Sequence, residues 1–206
     1  MRGNDFQREE IIEKKVELNV CVQSGESTMN FFIQVSNPVW LSGTYSAGNE
    51  SLADAVEDMF PMETEDAFLV WNHIYVPLSY KYDIAYMIDD VVKLLKMIRE
   101  NAVGSMNVHW LPDTFRCDWE VEWHDEEISI LSHWDCTVGN LENLLNSKAE
   151  VRMPIDSFLC EWKKLLGILI DGLKCNGYED KELKGMEELV FLYEKINDVG
   201  ALYRKG

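Results

Sequence analysis

The clearest hydrophobic pattern in the chain runs from residue 115 to 124. Phe115, Cys117, Trp119, Val121 and Trp123 alternate there with Arg116, Asp118, Glu120, Glu122 and His124. A period of two predicts a strand with one buried and one solvated face. Glu127–Trp134 continues as a second strand. With Asp125-Glu126 as a two-residue hairpin loop, His124 faces Glu127, Trp123 faces Ile128, Val121 faces Ile130 and Cys117 faces Trp134. This register sets apolar against apolar. It also sends Asp118, Glu120, Glu122 and His124 outward, with Glu127, Ser129, Leu131 and His133 opposite them, and puts Cys117 and Cys136 on the apolar face.

The same period predicts a hairpin from Val16–Val22 and Asn30–Ser36 around Gly25-Glu26-Ser27. Val39–Ser46, after Pro38, reads as a third strand. Ala67–Leu78, with its run FLVWNHIYV, reads as one long central strand that holds His73 in or near the core. Ser105–Leu111 and Ala149–Met153 complete the strand set, and Gly139–Ser147 is a loop or short helix. Helical spacing appears in four places. Ser51 opens a short helix with Leu52, Ala55, Val56 and Met59 on its inner face, closed by Pro61. Asp83–Asn101 is a long helix capped by Asp83. Asp156 or Ser157 caps a helix through Lys174, which Asn176-Gly177 closes, and a last helix spans Asp180–Ala201. The order is βββ-α-β-α-βββ(β)-αα. Strands in clusters favour an α+β fold, a mainly antiparallel sheet packed against helices with two helices at the C-terminal end. A single domain over 1–206 is expected, strand-rich over 10–153 with helices near 51–60 and 83–101, and helical over 156–203.

Charge sharpens the picture. The chain has 206 residues and a formal net charge of −18. Val16–Tyr80 holds no Lys or Arg and nine acids, and residues 102–147 hold nine acids against Arg116 alone. These two segments carry nearly the whole excess. Such a charge disfavours binding to a phosphate backbone, so no nucleic-acid partner is expected. It fits either a solubility surface or a face that steers a basic partner. A hydrophobic content of 47% argues for a folded chain. The N-terminal sequence has no signal-peptide core, and no apolar run is long enough to span a membrane. Five widely spaced cysteines then read as reduced thiols of a cytoplasmic protein.

Catalytic signatures are scarce. Cys117, His124, His133 and Cys136 do not match a zinc spacing, and the hairpin register divides them between two faces. No G-x-S-x-G elbow, G-x-G-x-x-G or P-loop occurs. No metal, cofactor or catalytic residue is assigned. The outward ladder suits binding instead, because alternate carboxylates on a strand stand roughly 6.5–7 Å apart and can grip a guanidinium between them. Asp118, Glu120, Glu122, His124, Asp125, Glu126 and Glu127 form one candidate contact surface. Glu57, Asp58, Glu63, Glu65 and Asp66 form a second. Trp134 and Trp40 are candidate exposed anchors, since tryptophan often anchors interfaces.

The segment with Trp119, Val121 and Trp123 against Asp118, Glu120 and Glu122, the turn into EEISILSHWD, and the helix DSFLCEWKKLLGILI together resemble immunity proteins encoded beside bacterial polymorphic or contact-dependent toxins. The resemblance covers about residues 100–175 and carries over no functional residue. It implies a cytosolic protein that neutralises a cognate toxin, often a basic nuclease. Two other readings stay open: a hydrolase or metal-dependent enzyme with a carboxylate/His site, and a structural or oligomerising subunit.

Overall fold

The computed structural model describes residues 30–179, 181 and 183–197. The strand expected at Val16–Val22, Cys21, and the final turns of the last expected helix lie outside the described residues. The fold is α+β. Strands β1 (Phe31–Gln34), β2 (Ala67–Trp71) and β3 (Ile74–Leu78) form one antiparallel sheet in the order β1-β2-β3. Strands β4 (Gly104–Trp110), β5 (Phe115–His124), β6 (Glu127–Thr137) and β7 (Glu150–Pro154) form a second, in sequence order and antiparallel throughout. Helix α1 (Leu52–Met59) precedes β2. Helix α2 (Ala85–Glu100) links the two sheets. The short α3 (Glu142–Asn146) lies between β6 and β7, and α4 (Ile155–Cys175) and α5 (Met186–Lys195) follow β7.

Alternation explains the second sheet. Along β5 every odd residue is buried and every even residue is exposed. The buried faces of the two sheets meet through aromatic side chains. Trp119 of β5 lies 5.4 Å from Trp71 of β2 and 6.1 Å from Phe31 of β1, and Trp71 also meets Trp134 at 5.7 Å. Phe158 of α4 packs on Phe31 at 5.2 Å. The β2–β3 turn ties the sheets further. Trp71 Nε1 and Asn72 Nδ2 both donate to the Lys148 carbonyl, just before β7.

Several sequence expectations change here. Ala67–Leu78 is two strands, because Asn72 and His73 both take positive φ (47° and 68°) and turn the chain back as a two-residue hairpin. His73 is therefore an exposed turn residue and not part of the core. Val39–Ser46 forms no strand. Its backbone is held by other groups: Leu41 N–H bonds the Met59 carbonyl, Thr44 N–H bonds Asn176 Oδ1, and Ser46 N–H bonds the Tyr178 hydroxyl. Trp40 of this loop is half-buried and packs against the core. Ser51 does cap α1, accepting from Asp54 N–H. Asp83 does not cap α2. It is buried in a wide π-type turn, Tyr80–Ile84, where its carboxylate accepts from Ser79 N–H and the Thr114 hydroxyl. Neither Asp156 nor Ser157 caps α4, because β7 runs straight into the helix and the Glu126 carbonyl takes the Ile155 N–H. α5 starts only at Met186, behind Gly185 at φ 90°.

Gly104 opens β4 under the ring of Trp123, where a Cβ would collide with the six-membered ring. That ring cannot yield freely, since Trp123 Nε1 donates to the Asn101 carbonyl at 2.8 Å. Gly104→Ala is expected to destabilise the protein by roughly 1–3 kcal/mol, read by urea unfolding. An unchanged midpoint would show that the ring can move aside.

One buried and one half-buried carboxylate set a pH dependence. Burial pushes Asp83 and Glu161 above the usual carboxylate range, against the hydrogen bonds each accepts. The folded state then holds their protons more tightly than the unfolded state. The associated stability is fully present below the unfolded pKa and is lost as pH rises through the folded pKa. Glu142 acts oppositely. Backbone N–H groups, its own and that of Thr137, hold it low, so its contribution is lost only as pH falls through that depressed value. The melting temperature is expected to fall as pH rises through the elevated folded pKa of Asp83, and Asp83→Asn to lessen that fall. A variant with the same pH dependence as the wild type would contradict the assignment.

Candidate interaction surface

The β5–β6 hairpin has the register its alternation predicts, from His124↔Glu127 through Val121↔Ile130 to Cys117↔Trp134. Asp125 takes the left-handed region at the turn (φ 55°), which aspartate tolerates. Beyond Cys117 a bulge shifts the pairing, so Arg116 faces Cys136 and Phe115 faces Thr137. The bulge corrects one expectation: Cys136 lies with Arg116 on the outer side, and Cys117 alone stays inside. Burial drives the Cys117 thiol far above its usual value, which leaves it protonated and unreactive.

The outer face of this sheet is a set of cross-strand rows, with β4 and β7 as flanks. One row is His109, Asp118, His133. The next is Asn107, Glu120, Leu131, Glu150. The third is Ser105, Glu122, Ser129, Arg152, and the last is His124, Glu127, Pro154. Nearly all of these side chains are exposed, and no helix among the described residues covers them. Leu131 is 49% exposed near the middle of the face, flanked by Glu120 and Glu150.

The histidines and arginines on or beside the face each have an acid close by. His109 Nδ1 lies 2.6 Å from Asp118 Oδ1 and Arg152 lies 2.5 Å from Glu150. His133 is 3.4 Å from Asp135, His124 is 3.5 Å from Asp125, and Arg116 pairs with Asp113. Exposed pairs of this kind contribute about 0–1 kcal/mol each and exchange readily with other partners. Glu120, Glu122 and Glu127 have no cation within 4.0 Å among the described residues. The centre of the face is therefore uncompensated negative charge beside an exposed leucine.

The structure thus brings Asp118, Glu120, Glu122, His124, Asp125, Glu126 and Glu127 together at one face and its rim. Trp134 does not join them. It is 2% exposed, because β6 runs on to Thr137 and Asn146 of α3 closes over its backbone, accepting from Trp134 N–H and donating to its carbonyl. Its indole N–H is satisfied by Ser132. The second acidic group lies on α1 and on the segment before β2, away from this sheet. Asp58 accepts from Asn49, Glu65 accepts from Asn37 N–H, and the Glu57 carbonyl accepts from Lys81, so three of its members hold the 36–49 loop and the π-type turn. Glu63 and Asp66 are exposed there.

Sequence reasoning placed Leu131 on the face without singling it out, and it did not reach His109, Asn107, Glu150 and Arg152. Those residues belong to β4 and β7, whose adjacency is a matter of sheet order. Among the described residues no three His, Cys, Asp or Glu side chains are placed to hold a metal ion, and no helix is long and apolar enough to cross a membrane. Comparison with protein-family models, with curated proteins and with solved structures finds no match to this chain.

Proposed function

We propose that this chain is a non-enzymatic cytoplasmic binding protein, an immunity-type inhibitor that neutralises a basic toxin domain by stoichiometric occlusion. One observation carries the reading: the outer face of the second sheet, exposed among the described residues, where Glu120, Glu122 and Glu127 have no described cation within 4.0 Å beside the half-exposed Leu131. An exposed leucine among carboxylates offers a basic partner a charged and an apolar contact side by side. The acids would speed encounter with a basic partner, and desolvated contacts at the centre would hold it. His109, His124 and His133 stand on an open sheet face, more than 60% exposed at each side chain. That placement supports a docking surface over a hydrolase or metal-dependent site, where a recessed carboxylate/His group would be needed.

The test is affinity capture from the native host with the wild-type chain and with Glu120→Lys/Glu122→Lys, at low and high salt, with identification by mass spectrometry. A basic protein is expected on the wild type at low salt, reduced at high salt and lost on the variant. Capture that is indifferent to both salt and charge reversal would rule out this face.

A further inference from the structure

The tip of the β5–β6 hairpin meets the end of α2 and the start of α4, and a cleft of about 500 Å³ lies between them. The three elements are fixed to one another there. Trp123 Nε1 donates to the Asn101 carbonyl at the end of α2, and Ile155 N–H donates to the Glu126 carbonyl at the hairpin turn. The floor is apolar: Ile98 and Leu159 are buried, and Ile155 is half-buried beside them. The rim is acidic, with the exposed carboxylates of Asp125, Glu126 and Asp156. Among the described residues Arg99 is the one cation in the lining, and its guanidinium is turned to the Lys195 carbonyl at the end of α5, 2.9 Å away. The α2 C-terminus and the α4 N-terminus present opposite dipole ends to the cleft, so the carboxylates set its sign.

An apolar floor under an acidic rim fits a side chain with an alkyl stem and a cationic head, the arrangement in which Lys and Arg bury the stem and keep the charge at the polar edge. We infer that this cleft is a socket for one lysine or arginine side chain of the protein partner, a reading that rests on the docking surface proposed above. The socket adjoins that surface through the shared turn, since His124 and Glu127 stand on the outer face and Asp125 and Glu126 on the cleft rim. It adds Asp156, Ile98 and Leu159 to the contact set, from two helices outside the sheet.

The test is an amide NMR titration of the full chain with acetyl-Gly-Arg-Gly-amide and acetyl-Gly-Lys-Gly-amide. Peptides with citrulline or norleucine in the central position serve as uncharged counterparts. The charged peptides are expected to shift Ala102, Glu126, Ile155 and Leu159, and the uncharged ones to leave them in place. Glu126→Gln and Asp156→Asn, made singly, are each expected to weaken the titration by roughly two- to fivefold at an unchanged melting temperature. Equal shifts with the uncharged peptides, or no weakening in either variant, would overturn the socket. Shifts confined to Glu120, Glu122 and Leu131 would also overturn it while leaving the sheet-face reading intact. Silence at both places would overturn the socket, and host capture would then decide the face separately.

Discussion

Trp119→Ala is expected to cost about 3–5 kcal/mol of folding stability, the range for truncating a large buried aromatic. Trp119 is fully buried at the middle of β5. Its ring meets Phe31 of β1, Trp71 of β2 and Trp110 of β4, the last edge-on at 5.2 Å. It is thus in contact with both sheets, and alanine would leave a cavity where they meet. Among the described residues the indole N–H has at most a weak contact with the Cys117 sulfur, so the ring contributes mainly through packing. Trp119→Phe removes less volume and gives up at most a weak contact to the Cys117 sulfur, and it is expected to cost roughly half as much or less. Urea unfolding of both variants measures the difference. If alanine costs under about 1 kcal/mol, the sheets are held by something other than this cluster. If the alanine variant does not fold, phenylalanine still tests the packing argument.

The hairpin that carries the candidate surface was legible because its alternation is strict and one face is buried. A one-residue slip would bury Glu120 and expose Trp119, so a single register satisfies the pattern. The alternation stopped informing at Trp134, where the bulge near Cys136 breaks the period and α3 folds back over the strand end. A residue that looked terminal and exposed is buried for that reason. The run from Ala67 to Leu78 failed differently. Both arms of that hairpin are apolar on both faces, the exposed Tyr75 and half-buried Phe68 and Pro77 included, which erases the contrast that marks a turn. The remaining signal was Asn72, a residue that accepts positive φ, followed by His73 where glycine is more usual. Val39–Ser46 has strand-like residues, but its N–H groups bond to Met59, Asn176 and Tyr178, contacts made across long sequence separations. The flanks of the surface, β4 and β7, were individually legible as strands, and their order beside β5 and β6 was not.

Charge and apolar contact should separate kinetically if the outer face docks a basic partner. Glu120 and Glu122 stand on alternate positions of β5 with no cation within 4.0 Å among the described residues, and their field acts before contact. Glu120→Lys/Glu122→Lys is expected to slow association by about tenfold or more at low salt, and the loss should shrink as salt screens it. Leu131 acts only after water has left the interface. Leu131→Ala is expected to leave association nearly unchanged and to speed dissociation by about five- to tenfold, the equivalent of burying part of one leucine side chain. Surface plasmon resonance against the captured partner resolves the two rates. Both substitutions fall on exposed positions of one sheet face, so their effects on the fold should be small, which thermal melts can check. The opposite assignment, with Leu131 governing association and the acids governing dissociation, would mean that the carboxylates are desolvated in the complex. The face would then be a buried ionic contact, and its steering role would be gone.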